Sequence, residues 1–107
     1  MKDDKVFLQN ILESMDKIGN YTSSGKEEFM KSTLIQDAVI RNLEIIGEAT
    51  KNISQDLKVK NNSIPWKQMA GLRDVLIHDY MGISLKIVWN VVQNELPKLK
   101  TAIKEIV

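Results

Sequence analysis

The stretch "TLIQDAVIRNLEIIGEATKNIS", residues 33–54, decides the fold. Leu34, Ala38, Leu43, Ile45, Ile46, Ala49 and Ile53 recur at helical spacing and give a broad apolar face. This spacing predicts one long helix from Thr33 to about Leu57. Gly47 sits in its middle, where glycine costs about 1 kcal/mol relative to alanine. The close approach of another backbone would explain it. A face this wide needs other elements to cover it.

The flanking segments read the same way. Residues 3–18 predict an amphipathic helix with Leu8, Ile11, Leu12, Met15 and Ile18 on one stripe. Asp3 or Asp4 can cap its start, and Gly19-Asn20 reads as its stop. Lys26 to Met30 can add a short helical piece after a Ser/Thr/Gly turn. "KVKNNSIP" reads as a polar loop, and Pro65 can open the next helix. Trp66, Met69, Leu72, Leu76 and Ile77 form the stripe of that helix, with Gly82 as its stop. Ser84 can cap a last helix from 85 to about 106, which Pro97 should kink near Gln93 to Glu95. Its core face holds Leu85, Val88, Trp89, Val92, Leu96, Leu99, Ile103 and Ile106. Lys98, Lys100 and Lys104 fall on its exposed face. No segment shows strand alternation, so the expected fold is an all-α bundle of four main helices.

Composition narrows the class. A chain of 107 residues, 43% hydrophobic and 27% charged, fits one soluble globular domain over 1–107. Apolar runs are four residues or shorter, so no membrane span is expected. The opening "MKDDKVFLQN" has no apolar leader core, and the chain has no cysteine, which excludes disulfides and thiolate metal sites. A cytoplasmic protein is expected. The net charge is +1, with no basic run of the kind that tracks duplex DNA.

The chemistry concentrates in "GLRDVLIHDY", residues 71–80, which holds the chain's one histidine. On a regular helix Arg73 and His78 stand about 140° apart, while Asp74 and His78 share a face. Asp74 can accept from the imidazole and set its tautomer. A helix ending near His78 would let that side chain swing toward Arg73, with the Tyr80 hydroxyl beside both. Such a set suits phosphoryl transfer. The guanidinium pairs with phosphate oxygens, and the imidazole takes or gives a proton near neutral pH. RNA cleavage through the 2′-hydroxyl needs both a base and an acid. One chain supplies one histidine, so a symmetric homodimer would complete the pair in one cleft. A plainer reading also fits. The helix dipole favours a histidine at a helix C-terminus, Arg73 can lie on the surface, and Tyr80 can pack its ring on the core.

Other residues read as structural. Trp66 and Trp89 fall on apolar stripes and are expected in the core. Glu44 and Glu48, one turn apart, read as a solvated face or a salt bridge rather than a metal site. The position of Arg41 relative to the cleft is open.

"RDVLIHDY" carries an R-x4-H-x-Y pattern. With "DDKVFLQNILESMDKI", "QDAVIRNLEIIGEATKNIS" and "IPWKQMAGLRDVLIHDYMGISLKIVWNVVQNELPKL" in order, the chain resembles the HepT-like ribonuclease toxins of the HEPN superfamily over nearly its whole length. The resemblance implies an α-helical homodimer with facing motifs and a metal-independent endoribonuclease that needs no cofactor. It implies catalytic roles for Arg73 and His78, and an orienting one for Asp74. It also implies a toxin–antitoxin pairing with a minimal nucleotidyltransferase that transfers AMP onto Tyr80. Two alternatives stand beside this reading: a non-catalytic nucleotide- or partner-binding module for that nucleotidyltransferase, and an ordinary helical dimerisation domain.

Overall fold

The structure is a computed structural model. It describes the backbone of residues 3–78 and 84–107 and the side chains of 3–72 and 84–107. The elements are α1 (Asp4–Tyr21), α2 (Lys26–Lys31), α3 (Thr33–Lys51), α4 (Gln55–Lys60), α5 (Trp66–His78), α6 (Leu85–Asn90), a π-helical segment (Val91–Glu95) and α7 (Leu96–Ile106). Among the described residues there is no strand. The four main helices expected are present as α1, α3, α5 and the composite of α6, the π segment and α7.

Helix α3 is the centre of the bundle, packed between α1 and α5, while α7 returns against α1. Its apolar face meets Ile11 and Ile18 of α1, Phe29 of α2, Met69 of α5 and Ile103 of α7 in one core. Each of these side chains is at most 1% exposed. Full burial of a side chain of this size stabilises by about 1.5–3 kcal/mol. Gly47 is buried on α3, as a close helix contact requires. Thr50, fully buried, satisfies its hydroxyl by donating to the Ile46 carbonyl at 2.7 Å. Leu34 departs from the expected apolar face, being 81% exposed. It lies nine residues before Leu43, about half a turn away around the helix.

Polar caps place the helix ends, and two expected ends move. Asp3 caps α1, its Oδ1 accepting from the Lys5 N–H at 2.9 Å. The helix passes through Gly19-Asn20 and stops at Thr22, which donates both its N–H and its hydroxyl to the Ile18 carbonyl. Gly19 therefore does not act as the stop. The glycine that adopts a positive φ is Gly25 (96°), at the start of α2. Ser32 caps α3, and Gln36 reaches back to the Phe29 and Met30 carbonyls at the end of α2.

The long helix expected to reach Leu57 ends at Lys51. Ser54 caps a separate helix, α4, by accepting from the Leu57 N–H at 3.2 Å. Asp4, fifty residues earlier, holds the corner by accepting from the Ser54 N–H at 2.8 Å and from its hydroxyl. These bonds keep the Asp4 carboxyl below its ordinary pKa, with a smaller contribution from the Lys58 charge. Lys58 to Lys60, expected in a polar loop, belong to α4, so the loop shrinks to 61–65.

Ser84 caps α6 as expected, its hydroxyl facing the Ile87 N–H at 3.4 Å. Pro97 has no N–H to offer the Gln93 carbonyl, so the regular ladder cannot continue there. The helix responds with a wider turn, in which the Leu96 N–H bonds the Val91 carbonyl five residues back. Lys98 and Lys104 are exposed, but Lys100 is half-buried and pairs with Asp16 on α1. That contact lowers the Asp16 pKa and corrects the expectation of a wholly exposed lysine face.

Candidate functional site

Helix α5 carries three of the four motif residues. Its backbone is helical from Trp66 through His78, and Arg73, Asp74 and His78 stand on it. A regular helix places Asp74 and His78 about 6 Å apart along the axis on one face, and Arg73 about 140° from His78. The swing of the His78 side chain toward Arg73 lies outside the described residues, as do Tyr80 and the expected stop at Gly82. The dimer lies outside the structure, which holds one chain.

The core fixes the start of this helix. Pro65 precedes the first turn and accepts the Met69 N–H through its carbonyl at 3.0 Å. Met69 is 1% and Trp66 7% exposed, which bears out their core assignment. The Trp66 indole N–H donates to the Asn61 carbonyl at 3.0 Å, so its polar atom is satisfied. Since α5 also packs along α3, the motif positions ride on an anchored helix rather than a free loop. Trp89 is half-buried, its ring centroid 5.3 Å from that of Phe29, and its N–H donates to Gln93.

Open hollows border the bundle, and two of them have charged linings from more than one residue. One, of about 430 Å³ between α1 and α3, is lined by Phe7, Asn10, Arg41, Glu44 and Glu48 among others. Arg41 and Glu44 lie 3.7 Å apart there, which realises the salt-bridge reading of Glu44. Arg41 thus belongs to a mixed-charge groove. The helical spacing of Arg41, Glu44 and Glu48 was the available signal for it. Among the described residues, no group of three His, Cys, Asp or Glu is placed to hold a metal ion. No helix among them is long and apolar enough to cross a membrane.

The second hollow, of about 550 Å³, opens where α4 meets the start of α5. Lys58, Val59, Pro65, Trp66, Lys67 and Ala70 contribute to its lining. Sequence reasoning did not find it. Lys58 and Lys67 belong to different helices, and the 61–65 segment between those helices brings both residues to one hollow.

Comparison with known proteins agrees with the family resemblance. A profile described as Ribonuclease HepT-like matches residues 11–106. A Methanocaldococcus jannaschii protein named as a gamma-glutamylcyclotransferase and, by inference, an RNase is 48% identical over 98% of this chain. The chain spans about half of that protein, 48% of its length. A second protein of the same organism, designated an RNase by inference, is 47% identical over 99% of this chain and 88% of its own. A ribonuclease HepT of Thermococcus cleftensis, also designated by inference, is 43% identical over 90% of this chain and 88% of its own. No solved structure gives a significant match. The family profile covers most of the chain, including the whole of α5, and the chain belongs to the HepT-like ribonuclease family.

Proposed function

We propose that the protein is the toxin of a toxin–antitoxin pair, a metal-independent endoribonuclease acting as one domain over residues 1–107. The observation that carries this reading is the R-x4-H-x-Y pattern on and just beyond α5, within the matched HepT-like region. In the reaction His78 takes the proton of an RNA 2′-hydroxyl. The 2′-oxygen then bonds to phosphorus, and the bond to the 5′-oxygen breaks. The 5′-oxygen leaves with a proton from an acid, a role the second histidine of a homodimer fills. Arg73 stabilises the charge that builds on the phosphoryl oxygens, and Asp74 orients His78. The products are a 2′,3′-cyclic phosphate and a free 5′-hydroxyl.

A minimal nucleotidyltransferase antitoxin silences the site by transferring AMP from ATP onto Tyr80: the phenolic oxygen loses its proton and bonds to the α-phosphorus, and pyrophosphate leaves. The added phosphodiester carries negative charge close in sequence to Arg73 and His78 and competes there with the RNA backbone. The test is cleavage of an end-labelled single-stranded RNA in EDTA by wild type and by His78→Ala, with Tyr80 first verified as unmodified by mass spectrometry. Cleavage by wild type alone, leaving a cyclic phosphate, is expected. Equal cleavage by both proteins would expose a contaminating nuclease and remove the assignment. An inert dimer that binds the nucleotidyltransferase and accepts AMP on Tyr80 would instead support a non-catalytic binding module.

A further inference from the structure

The two hollows differ in charge. Arg41, Glu44 and Glu48 line the one between α1 and α3. In the one between α4 and α5, the charged lining residues are Lys58 and Lys67, with no carboxylate among the described residues. Lys58 sits near enough to Asp4 to influence its carboxyl. Between the lysines lies apolar surface from Val59 and Pro65, and Val59 is 61% exposed.

The position of this hollow on α5 supplies the second argument. Lys67 stands seven residues before Asp74 and eleven before His78. On a regular helix both intervals return to within about 20° of the same line, at about 10 and 16 Å along the axis. The cationic hollow therefore shares one stripe of α5 with Asp74 and His78, while Arg73 stands about 120° around the helix from Lys67. A short single strand can lie along such a stripe, with phosphates on the lysines and a base against the apolar floor.

We propose that the hollow between α4 and α5 is a subsite for single-stranded RNA, which holds the strand flanking the cleaved bond through Lys58 and Lys67. The choice of RNA as occupant rests on the ribonuclease reading above, and charge complementarity and continuity along α5 locate the site. Its contribution is to substrate binding. It leaves the chemical step at Arg73 and His78 unchanged.

The test uses the full chain carrying His78→Ala, so that RNA stays intact. A fluorescently labelled single-stranded RNA oligonucleotide is titrated at several salt concentrations, with and without Lys58→Glu and Lys67→Glu together. The charge reversals should weaken binding about tenfold at low salt and flatten the salt dependence by roughly 0.7 per lysine. Binding of a dinucleotide, too short to reach the hollow, should stay the same. The pair Lys58→Gln and Lys67→Gln, milder for folding, should give the same trend. Unchanged RNA affinity and salt slope in both pairs would overturn the proposal. So would intact RNA binding combined with lost binding of the nucleotidyltransferase, which would make the hollow a protein-docking site. The ribonuclease reading fails separately, on absence of cleavage by wild type. In that event a persisting charge effect on binding would still support the subsite.

Discussion

The two halves of α5 differ in the residues that their sequences supply. From Trp66 to Leu72 the helix is anchored: Met69 and Trp66 are buried, and the Trp66 indole is tied to Asn61. From Arg73 to His78 the sequence interleaves an arginine, an aspartate and a histidine with Val75, Leu76 and Ile77. Gly71 stands at the junction. A helix held at one end by the core can present chemistry at the other without a dedicated loop. Substitutions at the buried positions of the first half should therefore cost stability, and those at Arg73 and His78 should cost turnover.

The largest effect should come from the second half. Arg73→Ala and His78→Ala should each lower RNA cleavage by roughly 10²- to 10⁴-fold, the range for loss of an acid–base or charge-stabilising group. Their urea midpoints should stay near wild type. A large fall in midpoint with either variant would merge the two halves into one structural unit. Met69→Ala should show the reverse pattern. It should lose about 2–5 kcal/mol in urea unfolding, while the folded fraction still cleaves. A loss below about 1 kcal/mol would mean that the anchor lies elsewhere.

Smaller effects test the junction and the surroundings. A Cβ on Gly71 would meet nothing within 4 Å. Gly71→Ala should therefore stabilise by about 0.5–1 kcal/mol, through better helix propensity and a less flexible unfolded chain. A destabilised protein would show that a second chain packs over this position. The smallest effect concerns carboxylates away from α5. Asp4 and Asp16 have lowered pKa values in the folded chain, so their stabilisation is whole above the ordinary carboxylate range. It is lost as pH falls through about 4 toward the folded values. Both groups meet solvent, so the change amounts to a few tenths of a kcal/mol. Asp4→Asn should flatten the acid dependence of the urea midpoint. An identical acid profile in the variant would rule out the contact with Ser54 as a contributor.

Local patterns in the sequence were good guides to local structure. The α1 and α3 stripes, the short helix at Lys26, the Ser84 cap and the disturbance before Pro97 each depend on residues within a turn or two. Ser54 was misread because its partner, Asp4, is fifty residues away, and no window of helical periodicity contains both. Lys100 was misread for the same reason, since Asp16 sits on another helix. The motif at Arg73 and His78 was legible as a short spacing. The hollow at Lys58 and Lys67 was not, because helical spacing relates residues within one helix and not across the 61–65 segment that joins α4 to α5.

The contact between Asp4 and Ser54 also bears on the order of folding. It closes a loop of fifty residues, for which the chain-length part of the closure entropy is about 3.5 kcal/mol. Two hydrogen bonds at the surface return less than that. The contact must therefore form late, after α1 and α3 have already come together through Ile11, Ile18, Leu43 and Ile46. A contact that forms late slows unfolding more than it speeds folding. Asp4 and Ser54 thus act on how long the folded chain persists, and with it the lifetime of the corner from which α4 starts.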